Sequence, residues 1–235
     1  MFKFINTVII MYEKLRVLLS KERLQKYLDL TNGDTEQAIL LYELNLKYSS
    51  QMYLVLSCFE VFLRNAINLQ IVKYDENWIL NISSVNDKII NNLRKIKSIN
   101  KDSLLLRSKF FKKQVDMLTT ALCGLNEEGK PISNDYLVSR LNFGFWTKLF
   151  NKYYESEMWN KCLYKIFKKP IKRGFIESRL NELRRIRNRI AHNECILNLK
   201  HTLLEYYDFV IDIVSVIDFS VVDWLQKQMS RDLFK

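Results

Sequence analysis

The run Asn181-Glu182-Leu183-Arg184-Arg185-Ile186-Arg187-Asn188-Arg189-Ile190-Ala191-His192-Asn193-Glu194 gathers the residue types that phosphodiester chemistry requires. A histidine titrates near neutrality, so His192 can accept or donate a proton. An arginine offers a fixed guanidinium that holds a phosphate and stabilises charge as a 2′-oxygen attacks. That reaction needs no metal, and no cofactor is expected. A solvated basic face accounts equally for Arg184, Arg185 and Arg189, with His192 as a helix-end residue favoured by the macrodipole. At about 100° per residue, Arg187 lies about 140° round a helix from His192, whereas Asn188 is its neighbour four residues back. Contact between Arg187 and His192 requires the helix to loosen at its end, or the long arginine to wrap round. The second histidine, His201, reads as a surface residue near the start of the next helix.

The elements that must position these groups are helices. Only 5 Gly and 2 Pro occur in 235 residues, too few turn formers for a sandwich, barrel or propeller. The five glycines do not stand at the spacing of a phosphate-binding loop. No repeat, low-complexity tract or linker marks a boundary, so an all-α fold with one helical bundle is the simplest account. Ser20 can cap a helix that ends at Asn32-Gly33-Asp34, and Asp34 can cap the next. From Thr35 to about Tyr74 an apolar stripe through Leu41, Leu44, Tyr48, Met52, Val55, Phe59, Phe62, Ala66 and Leu69 keeps its phase, which predicts one long central helix. Further helices are expected at about 86–99, 104–122, 134–153, 157–167, 174–192, 199–217 and 220–230, with a loop at Gly124–Pro131. In the penultimate helix Glu205, Asp208, Asp212 and Ser215 form a narrow polar stripe, read as a solvated face rather than a metal site. Phe143, Phe145 and Trp146 read as core rather than as base-stacking groups.

The net charge of +11 and pI near 9.4 suit a protein that attracts a polyanion, with nucleic acid the leading partner. The excess is concentrated: Lys161, Lys165, Lys168, Lys169, Lys172, Arg173, Arg179, Arg184, Arg185, Arg187 and Arg189 face only Glu177 and Glu182 within the same segment. Cys58, Cys123, Cys162 and Cys195 show neither zinc nor redox spacing and read as reduced core residues of a cytoplasmic protein. The apolar start, Met1 to Tyr12, is too short to span a bilayer and makes a poor signal peptide, so no membrane is expected.

Arg187-Asn188 with His192 four residues further on resembles the signature of HEPN ribonucleases. Two other runs, Phe59-Glu60-Val61-Phe62-Leu63-Arg64-Asn65-Ala66-Ile67 and Leu141-Asn142-Phe143-Gly144-Phe145-Trp146-Thr147-Lys148-Leu149-Phe150, resemble the bacterial Abi-like family (abortive infection, Abi-D/F type). Glu22 to Leu28 and Ala38 to Asn45 fit the same family, in the expected order, over about residues 20 to 230. The resemblance implies a helical-bundle domain of the HEPN type with additional helices over 20–235, its motif in 174–194, preceded by an arm or short helix at 1–19. It further implies a phage-defence or toxin-like protein acting on RNA, with Arg187, Asn188 and His192 in the nuclease motif. Members often carry a second histidine and a further arginine after the motif; Asn193 and Cys195 stand there in this chain.

The function expected is a metal-independent endoribonuclease working as a homodimer, because transesterification benefits from both a base and an acid, and a two-fold cleft supplies two copies of His192. Arg187 would hold the scissile phosphate, His192 move the proton, and Asn188 orient His192 or the backbone. Glu60, Arg64, Asn65, Arg184, Arg185 and Arg189 would support the motif or bind RNA, although Glu60 and Arg64, four apart, also suit an ordinary surface pair. An RNA or protein antitoxin is a further expected partner. The alternative is a catalytically silent RNA-binding regulator, or a protein that binds an antitoxin RNA.

Overall fold

The computed structural model describes residues 2–79 and 112–228, and among them there are helices and no strand. The helices are α1 (Phe2–Leu19), α2 (Lys21–Leu30), α3 (Thr35–Ile71), α4 (Lys112–Glu127), α5 (Asn134–Arg140), α6 (Phe143–Lys148), α7 (Arg173–Ala191), α8 (Leu203–Ile217) and α9 (Val222–Gln228). The all-α expectation therefore holds. The helix expected at 86–99 and the first part of that at 104–122 lie outside the described residues.

Helix ends follow the caps that the sequence offers. Ser20 alone separates α1 from α2; its φ of 81° breaks the helical path, and its hydroxyl accepts from the Arg23 N–H at 3.4 Å. Asn32 and Gly33 turn the chain with φ values of 52° and 84°, and Asp34 Oδ1 accepts from the Gln37 N–H at 3.0 Å to start α3. Helix α3 is continuous for 37 residues, about 55 Å at 1.5 Å per residue. By length and composition it would suffice to cross a membrane, yet its inward side packs on protein. The buried positions Ala38, Asn45, Met52, Leu56, Phe59, Leu63, Ile67 and Gln70 recur at helical spacing.

That stripe departs from the one expected at both ends: Leu44 is 38% exposed and Leu69 65% exposed, while Asn45 and Gln70 are buried. Hydrophobic periodicity weighs apolar residues only, so it cannot register a buried amide that is satisfied by hydrogen bonds. Other segments are also broken up. Helix α4 runs through Gly124 to Glu127 before Gly129 turns at φ 63°. The helix expected at 134–153 is divided where Asn142 Oδ1 accepts from the Phe145 N–H at 3.2 Å and starts α6. The segment expected helical at 157–167 forms short π and 3-10 turns, Glu155–Trp159 and Leu163–Ile166.

The chain divides into two compact units. The first comprises Met1–Cys58, Arg185–Ile211 and Asp223–Lys235. Its interior joins Tyr12, Leu24 and Ile39 to Leu15, Leu19 and Tyr42, and joins Tyr27 and Ala38 to Cys195, Leu41 and Leu197. The Tyr27 and Tyr42 rings meet edge to face, 5.3 Å between centroids. The second comprises Phe59–Arg184 and Asp212–Val222. Its interior is aromatic: Phe143, Phe145 and Trp146 are at most 1% exposed, as the core reading required, and Trp78 meets the Trp146 ring at 6.1 Å. Buried Gln114 satisfies both ends of its amide, donating to the Phe145 carbonyl at 3.3 Å and accepting from the Tyr154 hydroxyl.

Helix α8 opens with a capping box. Thr202 Oγ1 accepts from the Glu205 N–H at 3.2 Å, and Glu205 Oε2 accepts from the Thr202 N–H at 2.7 Å. The Thr202 N–H, the Thr202 hydroxyl and the neighbouring His201 hold the Glu205 carboxyl below its usual range. Among the carboxylates read as a solvated stripe, Glu205 is thus a cap. Replacing Thr202 with Ala is expected to cost about 1 kcal/mol in urea denaturation at pH 7. Because the Glu205 value is lowered on folding, its share is fully present above the ordinary carboxylate value of 4.5 and is lost as the pH falls through the lowered one. The difference between the wild type and the Thr202→Ala variant should therefore shrink on acidification.

Candidate active site at the end of a basic helix

Helix α7 carries the motif on two of its faces. Ile176, Leu180, Leu183, Ile186 and Ile190 are buried, while Arg185, Asn188 and His192 are exposed and recur at spacings of three and four. Arg187 is partly buried and falls within the arc of the apolar residues, about 140° from His192 by helix geometry. The helix does not unwind before its end: the His192 N–H still donates to the Asn188 carbonyl at 3.0 Å. Asn188 thus meets His192 through the main chain, with its own side chain exposed.

His192 is the capping residue of a Schellman turn. Asn193 takes the left-handed conformation with φ 53°, its N–H donates to the Ile190 carbonyl at 2.9 Å, and the Glu194 N–H donates to the Arg189 carbonyl at 2.8 Å. Asparagine tolerates this backbone better than most residues, which supplies a structural reason for Asn193 at that place. The following residue but one, Cys195, is buried at 8% exposure beside Tyr27 and Ala38. Burial and the adjacent Cys195 thiol push the Tyr27 phenol up.

Three side chains fasten this turn. Arg23 of α2 donates through Nη1 to the carbonyls of His192 at 3.3 Å and Asn193 at 2.6 Å. Asn45 of α3, 1% exposed, accepts from the Ile196 N–H at 2.7 Å and donates to the Glu194 carbonyl at 3.5 Å. Arg189 donates to the Cys195 carbonyl at 3.2 Å and lies 3.8 Å from the Glu194 carboxylate. The backbone on both sides of the left-handed residue is thus held, and the His192 side chain is left exposed at the helix end.

Arg185, Arg187, Asn188, Arg189 and His192 belong to the first unit. Glu60, Arg64, Asn65 and Arg184 belong to the second, where Arg64 Nε donates to Asn65 Oδ1 at 3.3 Å and Arg184 Nη2 donates to Asn181 Oδ1 at 3.4 Å. The basic segment is less free than its sequence suggests. Arg173, 11% exposed, pairs with Glu177 and Glu155 and donates to the Phe150 carbonyl at 2.7 Å. Lys161 pairs with Glu157 at 2.5 Å, and Lys168 with Asp218 at 3.1 Å. His201 is not a plain surface residue: Nδ1 lies 3.5 Å from Glu205, and its ring packs edge-on to Tyr206 and Phe209. Among the described residues no three His, Cys, Asp or Glu side chains converge as metal ligands would.

Sequence reasoning missed Arg23 and Asn45, which stand 169 and 149 residues from their carbonyl partners. A polar Asn45 between Leu44 and Leu46 was the available signal for one; Arg23 offered none.

A family model described as RiboL-PSP-HEPN matches residues 18–223, nearly the whole chain. The chain belongs to the RiboL-PSP-HEPN family. The HEPN part of the expectation drawn from Arg187, Asn188 and His192 therefore stands. No curated protein and no solved structure matches the chain.

Three substitutions test the turn of this HEPN domain. Asn45→Ala leaves the Ile196 N–H and Glu194 carbonyl without their partner and should cost about 1–3 kcal/mol in chemical denaturation, with faster amide exchange at Ile196. Asn193→Gly should fall within a few tenths of a kcal/mol of wild type, whereas Asn193→Val should cost about 1–2 kcal/mol, because a β-branched residue resists a positive φ.

Proposed function

We propose that this RiboL-PSP-HEPN protein is a metal-independent endoribonuclease, of the abortive-infection type and active in phage defence or as a toxin. The observation that carries the reading is the exposed His192 at the end of α7, held on a backbone fixed by the Schellman turn, Arg23 and Asn45. Such a histidine is accessible to substrate and starts from a fixed backbone position, which favours general acid–base catalysis. In the proposed reaction the 2′-oxygen attacks phosphorus as the bond to the 5′-oxygen breaks. One His192 takes the 2′-proton, and the His192 of a second copy protonates the leaving oxygen, which leaves 2′,3′-cyclic phosphate and 5′-hydroxyl ends. Arg187 binds the phosphate by extending round the helix, Asn188 steadies the last turn through its carbonyl, and Arg185 and Arg189 add attraction for the RNA backbone.

A second reading, a catalytically silent RNA-binding regulator, is favoured by one feature. Arg187 is partly buried on the arc opposite the exposed one, and Asn193 and buried Cys195 occupy the places of a second histidine and arginine. The two readings part on product. Purified wild type incubated with mixed RNA in EDTA should give fragments with cyclic-phosphate ends, and His192→Ala should lower cleavage by at least 10²-fold with folding and oligomeric state unchanged. A fully active His192→Ala variant would overturn the assignment, and salt-sensitive binding without cleavage would establish the binder.

A further inference from the structure

The cation that the fold sets against the backbone of His192 is Arg23, not Arg187. Arg23 Nη1 lies 2.6 Å from the Asn193 carbonyl and 3.3 Å from that of His192, so the guanidinium is fixed at the residue whose imidazole is to move a proton. Both contacts use one nitrogen. A guanidinium carries five N–H donors in a planar fork, and Nη1 accounts for two. Nε and Nη2 have no protein partner among the described residues, and no carboxylate among them pairs with Arg23, although Arg185, Arg187 and Arg189 sit on the neighbouring helix. The side chain is partly exposed, so its open edge is available to a ligand. An edge with two parallel N–H donors matches two oxygens of a phosphate.

We propose that Arg23 is a phosphate-binding residue of the His192 site, which takes one phosphodiester of single-stranded RNA on its Nε and Nη2 edge while Nη1 stays on the two carbonyls. This assignment rests on the nuclease reading for its catalytic consequence, but the phosphate contact can be tested without cleavage. The contact to the carbonyls preorganises the guanidinium, so little side-chain freedom is lost when phosphate arrives. It also divides the work of the two arginines: Arg23 lies at the helix end with His192, and Arg187 reaches from the flank.

The experiment measures binding of a fully 2′-O-methylated RNA oligomer, which cannot undergo 2′-attack, across a salt series. Each phosphate contact to single-stranded RNA contributes a slope of about 0.7 in log affinity against log salt. Arg23→Gln keeps a carbonyl donor and removes the charge; it should lower the slope by about that amount, and Arg23→Lys should restore most of it. Asn45→Ala loosens the same turn without changing charge and should leave the slope as in wild type. An unchanged slope in Arg23→Gln, an equal fall in Asn45→Ala, or no salt-dependent binding by wild type would each overturn the proposal. With unmodified RNA, Arg23→Gln should cut at least tenfold more slowly than wild type. If wild type does not cut at all while the slopes behave as stated, the nuclease reading falls and the phosphate contact of Arg23 stands.

Discussion

The structure around His192 depends on one constraint: the carbonyls at the C-terminal end of a helix have no partners within the helix and must be satisfied from elsewhere. Helix α7 ends in the first unit, and its end is met in three ways. The left-handed turn at Asn193 returns the Asn193 N–H to the Ile190 carbonyl and the Glu194 N–H to the Arg189 carbonyl. Arg23 donates to the carbonyls of His192 and Asn193, and Asn45 closes the chain that follows. A cation at the negative end of the helix dipole is favourable in itself. The same solution that ends the helix leaves an exposed imidazole on a rigid backbone.

Charge is distributed by the same logic of pairing. The positive run from Lys161 to Arg189 looked nearly unopposed along the chain, but folding brings Glu155, Glu157 and Asp218 to Arg173, Lys161 and Lys168. Ser220, through its hydroxyl and N–H, and Lys168 hold the Asp218 carboxyl down to about 2. Arg173 in particular is a partly buried structural tie at the start of α7, where it joins Glu177 to the Phe150 carbonyl. The overall excess of +11 remains, so the long-range attraction for a polyanion is untouched while the set of cations free to touch one is smaller.

Buried amides recur as fasteners in both units. Asn45 in the first and Gln114 in the second each spend donor and acceptor on partners distant in sequence. A buried polar group so satisfied fixes one arrangement, since any slip would leave it unpaired in an apolar interior. In the second unit this amide sits among the aromatic side chains of α6 and Trp78, whose packing alone would tolerate more than one register.

The sequence by itself determined the helical class, the caps at Ser20 and Asp34, the continuity of α3, the aromatic core around Phe145 and the HEPN motif on a basic helix. These are legible because capping, helical period and composition act over four residues or fewer. Spacing also showed that Arg187 and His192 lie on different sides of α7, since the helical repeat is a local property. Only the tertiary structure decided which face of α3 is buried at Asn45, which cations are neutralised, and that Arg23 meets His192. The contacts of Arg23 and Asn45 join residues 149 to 170 positions apart, and a hydrogen bond of that reach leaves no periodic trace in the chain.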